Sequence, residues 1–205
     1  MHSCHSIIPA DDLYERRVSL FERLPIESTD IVMLGDSLVQ GCEWHELMQN
    51  NRLKNRGING DTVGGVMARC HTIMQSHPAK VFIMVGINDV SHNRRAEEVA
   101  CDIVTLVAHL HTLSPTTRIY VHSLLPFDAS IHYTSLQGYD NVVCDINRIL
   151  DQQAPLHSYT YIELHKHFAV PHTTTIAPQY TNDGLHLTGR GYALWGKLIQ
   201  CHIDE

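Results

Sequence analysis

Short apolar runs alternate along this chain with longer segments whose apolar residues recur every three or four positions. Residues 31–34 and 81–85 are continuous apolar runs, which is the pattern of strands buried on both faces of a sheet. Flanking glycines and prolines bound several of these runs. We therefore predict strands at 30–35, 53–57, 80–86, 118–125 and 159–164.

The clearest helical segment covers residues 95–113, and Pro115 then ends it. Its apolar residues form one stripe along a helix. Further helices are predicted at about 11–23, 63–76, 139–153 and 188–202, with Thr188 as the N-cap of the last one. The stripe of the clearest helix consists of Val99, Ile103, Leu106, Val107 and Leu110.

Strands that alternate with helices predict an α/β fold in which helices cover both faces of a parallel sheet. Five strands fit a three-layer α/β/α sandwich, and the length of 205 residues fits a single domain spanning 1–205. The longest irregular stretches are 126–138 and 165–183. Because long loops in compact α/β domains usually border a site, we expect these two to do so.

The net charge of −7 argues against nucleic acid as a partner, since phosphate binding needs a basic face. We expect no membrane span, because no run of about 18 apolar residues exists. Residues 1–10 have no basic start and no long apolar stretch, so we expect no signal peptide and a cytoplasmic protein. A leader removed in cloning would leave the same sequence, and that alternative stays open. The sequence does not predict an oligomeric state.

Cysteine and histidine are the residues that could signal metal or redox chemistry. The six cysteines, at positions 4, 42, 70, 101, 144 and 201, form no C-x-x-C pair, and we interpret them as reduced thiols. His165 with His167, and His2 with Cys4 and His5, could bind a metal, but no second ligand pair accompanies either group. We therefore expect neither a metal nor a cofactor.

Polar clusters follow the ends of three predicted strands, where ligands bind in open α/β sheets. Gly35-Asp36-Ser37-Leu38 places a serine on the turn into a helix, where backbone N–H groups can hold an oxyanion. Ser37 is a candidate nucleophile or a simple helix cap, and Asp36 is interpreted as structural support. Gly60 follows the second strand. It is either part of an ordinary Asn-Gly turn or a glycine that lets the backbone approach a ligand closely. Asn88 follows the third strand as an oxyanion donor or a helix cap.

A D-x-x-H pair can supply a histidine base and the carboxylate that orients it, but this chain contains two. Asp89 and His92 would make one short loop supply both the oxyanion donor and the base. Asp183 and His186 come from a separate loop and can approach Ser37 from another side. This geometry favours Asp183 and His186, and the family resemblance described next adds most of the weight.

In their order along the chain, these clusters resemble the sequence blocks of the SGNH (GDSL-type) hydrolase superfamily over about residues 30–192. By that resemblance Ser37 is the nucleophile, and the backbone N–H of Gly60 and the side chain of Asn88 are oxyanion donors. Asp183 and His186 match the D-x-x-H block. Residues 57–62 and 183–192 look most like the platelet-activating-factor acetylhydrolase-like and carbohydrate acetylesterase branches. The resemblance implies a flavodoxin-like sandwich with strand order 2-1-3-4-5 and ester hydrolysis without a cofactor.

The expected function is therefore a serine esterase that hydrolyses short-chain acyl esters of small molecules, O-acetyl esters above all. A lysophospholipase or thioesterase of the same superfamily, a zinc-dependent hydrolase, and a non-catalytic module that binds a small ligand at the same strand ends are the alternatives. Aromatic side chains in candidate rim segments would suit sugar or aryl groups. These are Trp44, Tyr133, Tyr139 and Tyr180.

Overall fold

A five-stranded parallel sheet lies at the centre of the computed structural model, which describes residues 12–205. Its strands are β1 (Ile31–Gly35), β2 (Leu53–Gly57), β3 (Lys80–Met84), β4 (Arg118–His122) and β5 (Thr160–Ile162). They are ordered β2-β1-β3-β4-β5, and every pair is parallel. The expected α/β fold, sheet and strand order are confirmed.

The continuous apolar runs lie in the middle of the sheet. Every residue of β1 and β3 is buried, as expected for strands covered on both faces. The outer strands β2 and β5 are buried less completely. The apolar runs therefore identified the central strands correctly.

Helices follow the strands in the predicted alternation. The long ones are α1 (Asp12–Phe21), α4 (Val63–Met74), α6 (Ala96–Leu113), α7 (Asp140–His157) and α9 (Gly189–Asp204). Short helices that the sequence did not predict are α2 (Ser37–Gln40), α3 (Trp44–Leu47), α5 (Ile87–Ser91) and α8 (His165–Phe168). A 3-10 turn covers Thr134–Leu136. No helix among residues 12–205 is long and apolar enough to cross a membrane.

Two helical layers cover the sheet. Helix α6 packs between α4 and α7 on one face. On the other face, the Trp195 ring of α9 stands edge-on to the His122 ring of β4 at 5.4 Å and to Trp44 of α3 at 5.0 Å. Phe82 of β3 stacks on Tyr120 of β4 at 4.4 Å on that same face. Successive side chains of β3 and β4 point to opposite faces of the sheet, and each face packs against its own layer of helices. This arrangement is the expected three-layer sandwich.

Helix α7 differs from its prediction, because it continues through Pro155 to His157. Proline removes one backbone donor, which here would have bonded to the carbonyl of Asp151. Asp151 is exposed, so water can satisfy that carbonyl, and the helix ends three residues later at Ser158. Thr188 is the N-cap of α9 as predicted, but its side chain does not cap the helix.

The strand order also determines where a site can form. From β1 the chain goes to β2 on one side, and it then returns past β1 to β3 on the other side. The crevice outside the carboxyl ends of β1 and β3 is therefore a topological switch point, where open α/β sheets bind ligands.

Candidate active site

Ser37 lies at this crevice as the first residue of α2, directly after β1. Asp36 is the N-cap, and its Oδ1 accepts a hydrogen bond from the Leu38 N–H at 3.0 Å. A Cβ on Gly35 would lie 1.9 Å from the Met84 carbonyl oxygen, so only glycine allows β1 to end so close to β3. Asp36 rather than Ser37 therefore caps the helix, and the partly exposed Ser37 hydroxyl is available for another role.

His186 and Asp183 come from the segment before α9, which turns at Gly184 with a φ of +89°. Asp183 Oδ1 accepts hydrogen bonds from the backbone N–H groups of Leu185 at 2.9 Å and His186 at 2.8 Å. Its Oδ2 lies 2.8 Å from His186 Nδ1. A Cβ on Gly184 would lie 2.2 Å from the Asp128 carbonyl oxygen, so glycine is required here for its close approach as well as its φ.

The imidazole of His186 contacts Ser37, which lies 149 residues earlier in the chain: His186 Nε2 is 2.9 Å from Ser37 Oγ. The Asp183 carboxylate on the other side favours the tautomer with the proton on Nδ1, which leaves Nε2 to accept from the serine hydroxyl. Partial burial by itself would raise the pKa of Asp183. Hydrogen bonds from Leu185 N–H and from the His186 ring and backbone outweigh that effect and lower the pKa to about 2. Asp183 is therefore ionised at neutral pH.

Gly60 and Asn88 line the same cavity as Ser37 and His186, and its volume is about 360 Å³. Gly60 has a φ of +78°, in the loop after β2. Asn88 lies in the first turn of α5, and its Nδ2 donates to the Asp61 carbonyl oxygen at 2.8 Å. One amide hydrogen of Asn88 thus holds the loop after β2, and because an amide carries two hydrogens this bond does not use up its donor capacity.

A buried ion pair fixes the loop after β2 to the end of β1. The Arg69 guanidinium contacts Asp61 Oδ2 at 2.8 Å and donates to the Gly35 carbonyl oxygen at 3.0 Å. Both side chains of the ion pair are almost completely buried. Burial raises the pKa of Asp61 to about 6 against the opposing effect of Arg69. Arg69 therefore links the end of β1, next to Ser37, to the loop of Gly60.

The second D-x-x-H pair does not reach this cavity. Asp89 is completely buried, where it accepts from the Val63 N–H at 3.0 Å and pairs with Arg94 at 3.5 Å. His92 is the exposed C-cap of α5. The structure thus brings Asp183 and His186 to Ser37 and leaves His92 apart from it.

The rim aromatics fall in different places. The prediction for Trp44 was wrong: it is fully buried against Trp195, because its apolar ring completes the core beside α9. Tyr180 packs on Phe168 and does not line the cavity. Tyr133 does line it, and its hydroxyl lies 3.2 Å from Asp183 Oδ2 and 3.0 Å from His186 Nδ1. The sequence indicated a rim position for Tyr133 but gave no signal of these contacts.

The metal and thiol candidates have simple outcomes. Within residues 12–205 no group of three or more histidine, cysteine or acidic side chains could hold a metal ion. His165 and His167 belong to α8. The five cysteines in this part of the chain are free thiols. The possible ligands His2, Cys4 and His5, together with the start of the first predicted helix, lie outside the described residues.

Comparisons with known proteins agree with the fold and identify a family. The profile of the GDSL-like Lipase/Acylhydrolase family matches residues 33–194. The chain is 30% identical over 171 residues to platelet-activating factor acetylhydrolase IB subunit alpha2 of Homo sapiens, covering 80% of this chain and 71% of that protein. A GDSL-like lipase from Bacteroides thetaiotaomicron superposes with a TM-score of 0.80 at 22% identity, covering 93% and 97% of the two chains. An acetyl-xylooligosaccharide esterase from Geobacillus Stearmophilus gives 0.68 at 17% identity, covering 88% and 96%.

The fold, the site and these relatives define a carboxylic ester hydrolase. The chain belongs to the GDSL-like lipase/acylhydrolase family, and the expected membership of the SGNH superfamily is confirmed.

Proposed function

We propose that this chain hydrolyses short-chain acyl esters, O-acetyl esters above all, with Ser37 as nucleophile, His186 as general base and Asp183 as its orienting carboxylate. The observation that carries the proposal is the continuous hydrogen-bonded series from Ser37 Oγ through His186 Nε2 and Nδ1 to Asp183 Oδ2, with distances of 2.9 and 2.8 Å. Its members are separated by up to 149 residues in sequence.

The reaction has two halves. His186 Nε2 takes the Ser37 proton as Oγ forms a bond to the ester carbonyl carbon, and the charged oxygen is held by the N–H groups of Ser37 and Gly60 and the Asn88 amide. His186 then gives the proton to the leaving alcohol as the ester bond breaks. A water molecule loses a proton to His186 as it attacks the acyl-serine, and Ser37 recovers that proton when the acid leaves.

The cavity supports a small substrate. Its volume of about 360 Å³ is near the lower end of the roughly 300–1,000 Å³ of small-molecule sites. Ile87, Leu136 and Leu185 give it apolar walls, while Asn59, Ser91 and Ser135 offer amide and hydroxyl groups. None of the described residues that line it is lysine or arginine. These features favour a short acyl group on an uncharged, hydroxyl-bearing alcohol. The names of two compared proteins, an acetylhydrolase and an acetyl-xylooligosaccharide esterase, agree with acetyl transfer to water.

The test is activity on p-nitrophenyl esters from acetate to palmitate and on acetylated sugars, for wild type and Ser37→Ala. We expect the highest kcat/KM on acetate, and a loss of about 10⁶-fold in kcat for Ser37→Ala. A fluorophosphonate probe should label wild type and Ser91→Ala, which removes another hydroxyl of the same cavity, but not Ser37→Ala. Labelling of Ser37→Ala would refute the nucleophile. Highest activity on long chains would instead indicate a lysophospholipase or thioesterase.

A further inference from the structure

Tyr133 contacts both His186, the proposed base, and Asp183, which orients it, although Tyr133 comes from a different loop. It lies just before the 3-10 turn Thr134–Leu136, and its ring stands edge-on to the His186 imidazole, with 5.5 Å between centroids and an angle of 72°. Its Oη is 3.2 Å from Asp183 Oδ2 and 3.0 Å from His186 Nδ1.

The hydrogens of this triangle have one consistent arrangement. Burial, followed by the negative charge of Asp183, raises the pKa of Tyr133, so the phenol keeps its proton at neutral pH. That proton is donated to Asp183 Oδ2, since the carboxylate is the charged acceptor. The Nδ1–H of His186 points to the same Oδ2 and can share its hydrogen with the phenol oxygen. Tyr133 thus donates to one partner and accepts from the other.

We propose that Tyr133 is a positioning residue for the hydrolytic reaction: its hydroxyl holds the His186 imidazole facing Ser37 and takes up part of the negative charge of Asp183. The inference rests on the proposed roles of Ser37, His186 and Asp183. Ser135 and Leu136 follow Tyr133 and line the same cavity, so this loop supplies both part of the cavity wall and a contact to His186 and Asp183.

Tyr133→Phe keeps the ring against His186 and removes only the hydroxyl. We expect kcat to fall about 3–10-fold, the value of one hydrogen bond, with KM changed less than about twofold. Without the phenol hydrogen that Tyr133 donates to it, Asp183 becomes a stronger acceptor for the imidazolium. The acid limb of the pH profile of kcat/KM should therefore move to higher pH by about half a unit. In proton NMR, the resonance of the His186 Nδ1–H should move further downfield.

Tyr139→Phe is the matched control. It removes a tyrosine hydroxyl from the same part of the chain, where the group bonds to Asn93 Oδ1. Tyr139 was expected at the rim, but it does not line the cavity of Ser37. We expect its acid limb and Nδ1–H resonance to match wild type. If Tyr133→Phe leaves kcat, the acid limb and the resonance unchanged, or moves the acid limb to lower pH, the inference is wrong.

The Ser37→Ala variant separates this inference from the proposed function on which it rests. If Ser37→Ala is inactive while Tyr133→Phe behaves as wild type, only the role of Tyr133 fails; if Ser37→Ala remains active, the proposed function fails.

Incorporation of 3-fluorotyrosine at position 133 gives a more acidic phenol in an intact ring, which keeps the test valid if Tyr133→Phe folds poorly. Its stronger donation to Asp183 should move the acid limb to lower pH, and an unchanged limb would overturn the inference.

Discussion

Replacing Asp36 with asparagine tests how burial controls the charge next to Ser37. The Asp36 side chain is completely buried, and its Oδ2 has no hydrogen-bond partner among the described residues. Burial is the main reason that the pKa of Asp36 rises to about 7, and the negative charges of Asp61 and Asp89 add to it against the hydrogen bond from Leu38. An aspartate in an unfolded chain has a pKa of about 3.9.

Between those two pKa values the folded protein holds a proton that the unfolded chain has released. The stability from this proton is fully present below about pH 4 and is lost as the pH rises through about 7. The linkage relation, applied from pH 5 to pH 8, gives a loss of about 2–3 kcal/mol for wild type. Asp36→Asn has nearly the same shape and cannot ionise. Relative to wild type, its free energy of unfolding should therefore rise by about 2–3 kcal/mol from pH 5 to pH 8.

Urea unfolding followed by circular dichroism at pH 5, 6, 7 and 8 measures this difference. Asp61 and Asp89 are present in both proteins, so their own titration largely cancels in the comparison. Asp151→Asn, which removes an exposed carboxylate on α7, is the control and should show no such pH-dependent gain. A difference between Asp36→Asn and wild type that stays constant across these pH values would refute the claim that Asp36 is protonated in the folded protein at pH 5.

Two other substitutions test the loop of Gly60 and its support. Asn88→Ala should lower kcat on p-nitrophenyl acetate by about 10²–10³-fold with a smaller change in KM, since it removes a donor to charge that develops in the transition state; an unchanged kcat would exclude Asn88 from the oxyanion hole. Arg69→Met should lower the free energy of unfolding by about 3–5 kcal/mol because it leaves Asp61 buried without its partner, whereas Arg148→Met, which breaks an exposed ion pair, should cost less than about 1 kcal/mol. Equal losses in urea unfolding would contradict this.

The sheet and the long helices could be predicted because their signal is repeated over many residues. β1 and β3 are continuous apolar runs apart from Lys80 at the start of β3, and α6 repeats its apolar stripe over about three turns from Val99 to Leu110. Helices α2 and α5 have four and five residues, which is too short for a period to be visible. Their positions depend on tertiary contacts, such as the approach of the Met84 carbonyl oxygen to Gly35, that no local pattern contains.

The contacts of Tyr133 could not be predicted for a related reason. Tyr133 lies in a stretch without periodicity, and its hydroxyl meets Asp183 and His186 about 50 residues further along the chain. Loop conformation decides that meeting. A tyrosine in a loop is also common on protein surfaces, so its presence alone favours no particular role.

The two D-x-x-H pairs have the same spacing but differ in the residue that follows the aspartate. Asp183 is followed by Gly184, which adopts a φ of +89°, and this turn lets the carboxylate receive two backbone N–H groups and the His186 ring. Asp89 is followed by Val90, a β-branched residue for which positive φ is strongly unfavourable, and the segment forms α5 instead. In that helix the Asp89 carboxylate accepts from the Val63 N–H and pairs with Arg94, while His92 is exposed. The glycine after the aspartate therefore distinguishes the pair that can form a closed carboxylate–imidazole contact, and it is visible in the sequence as a requirement of backbone conformation.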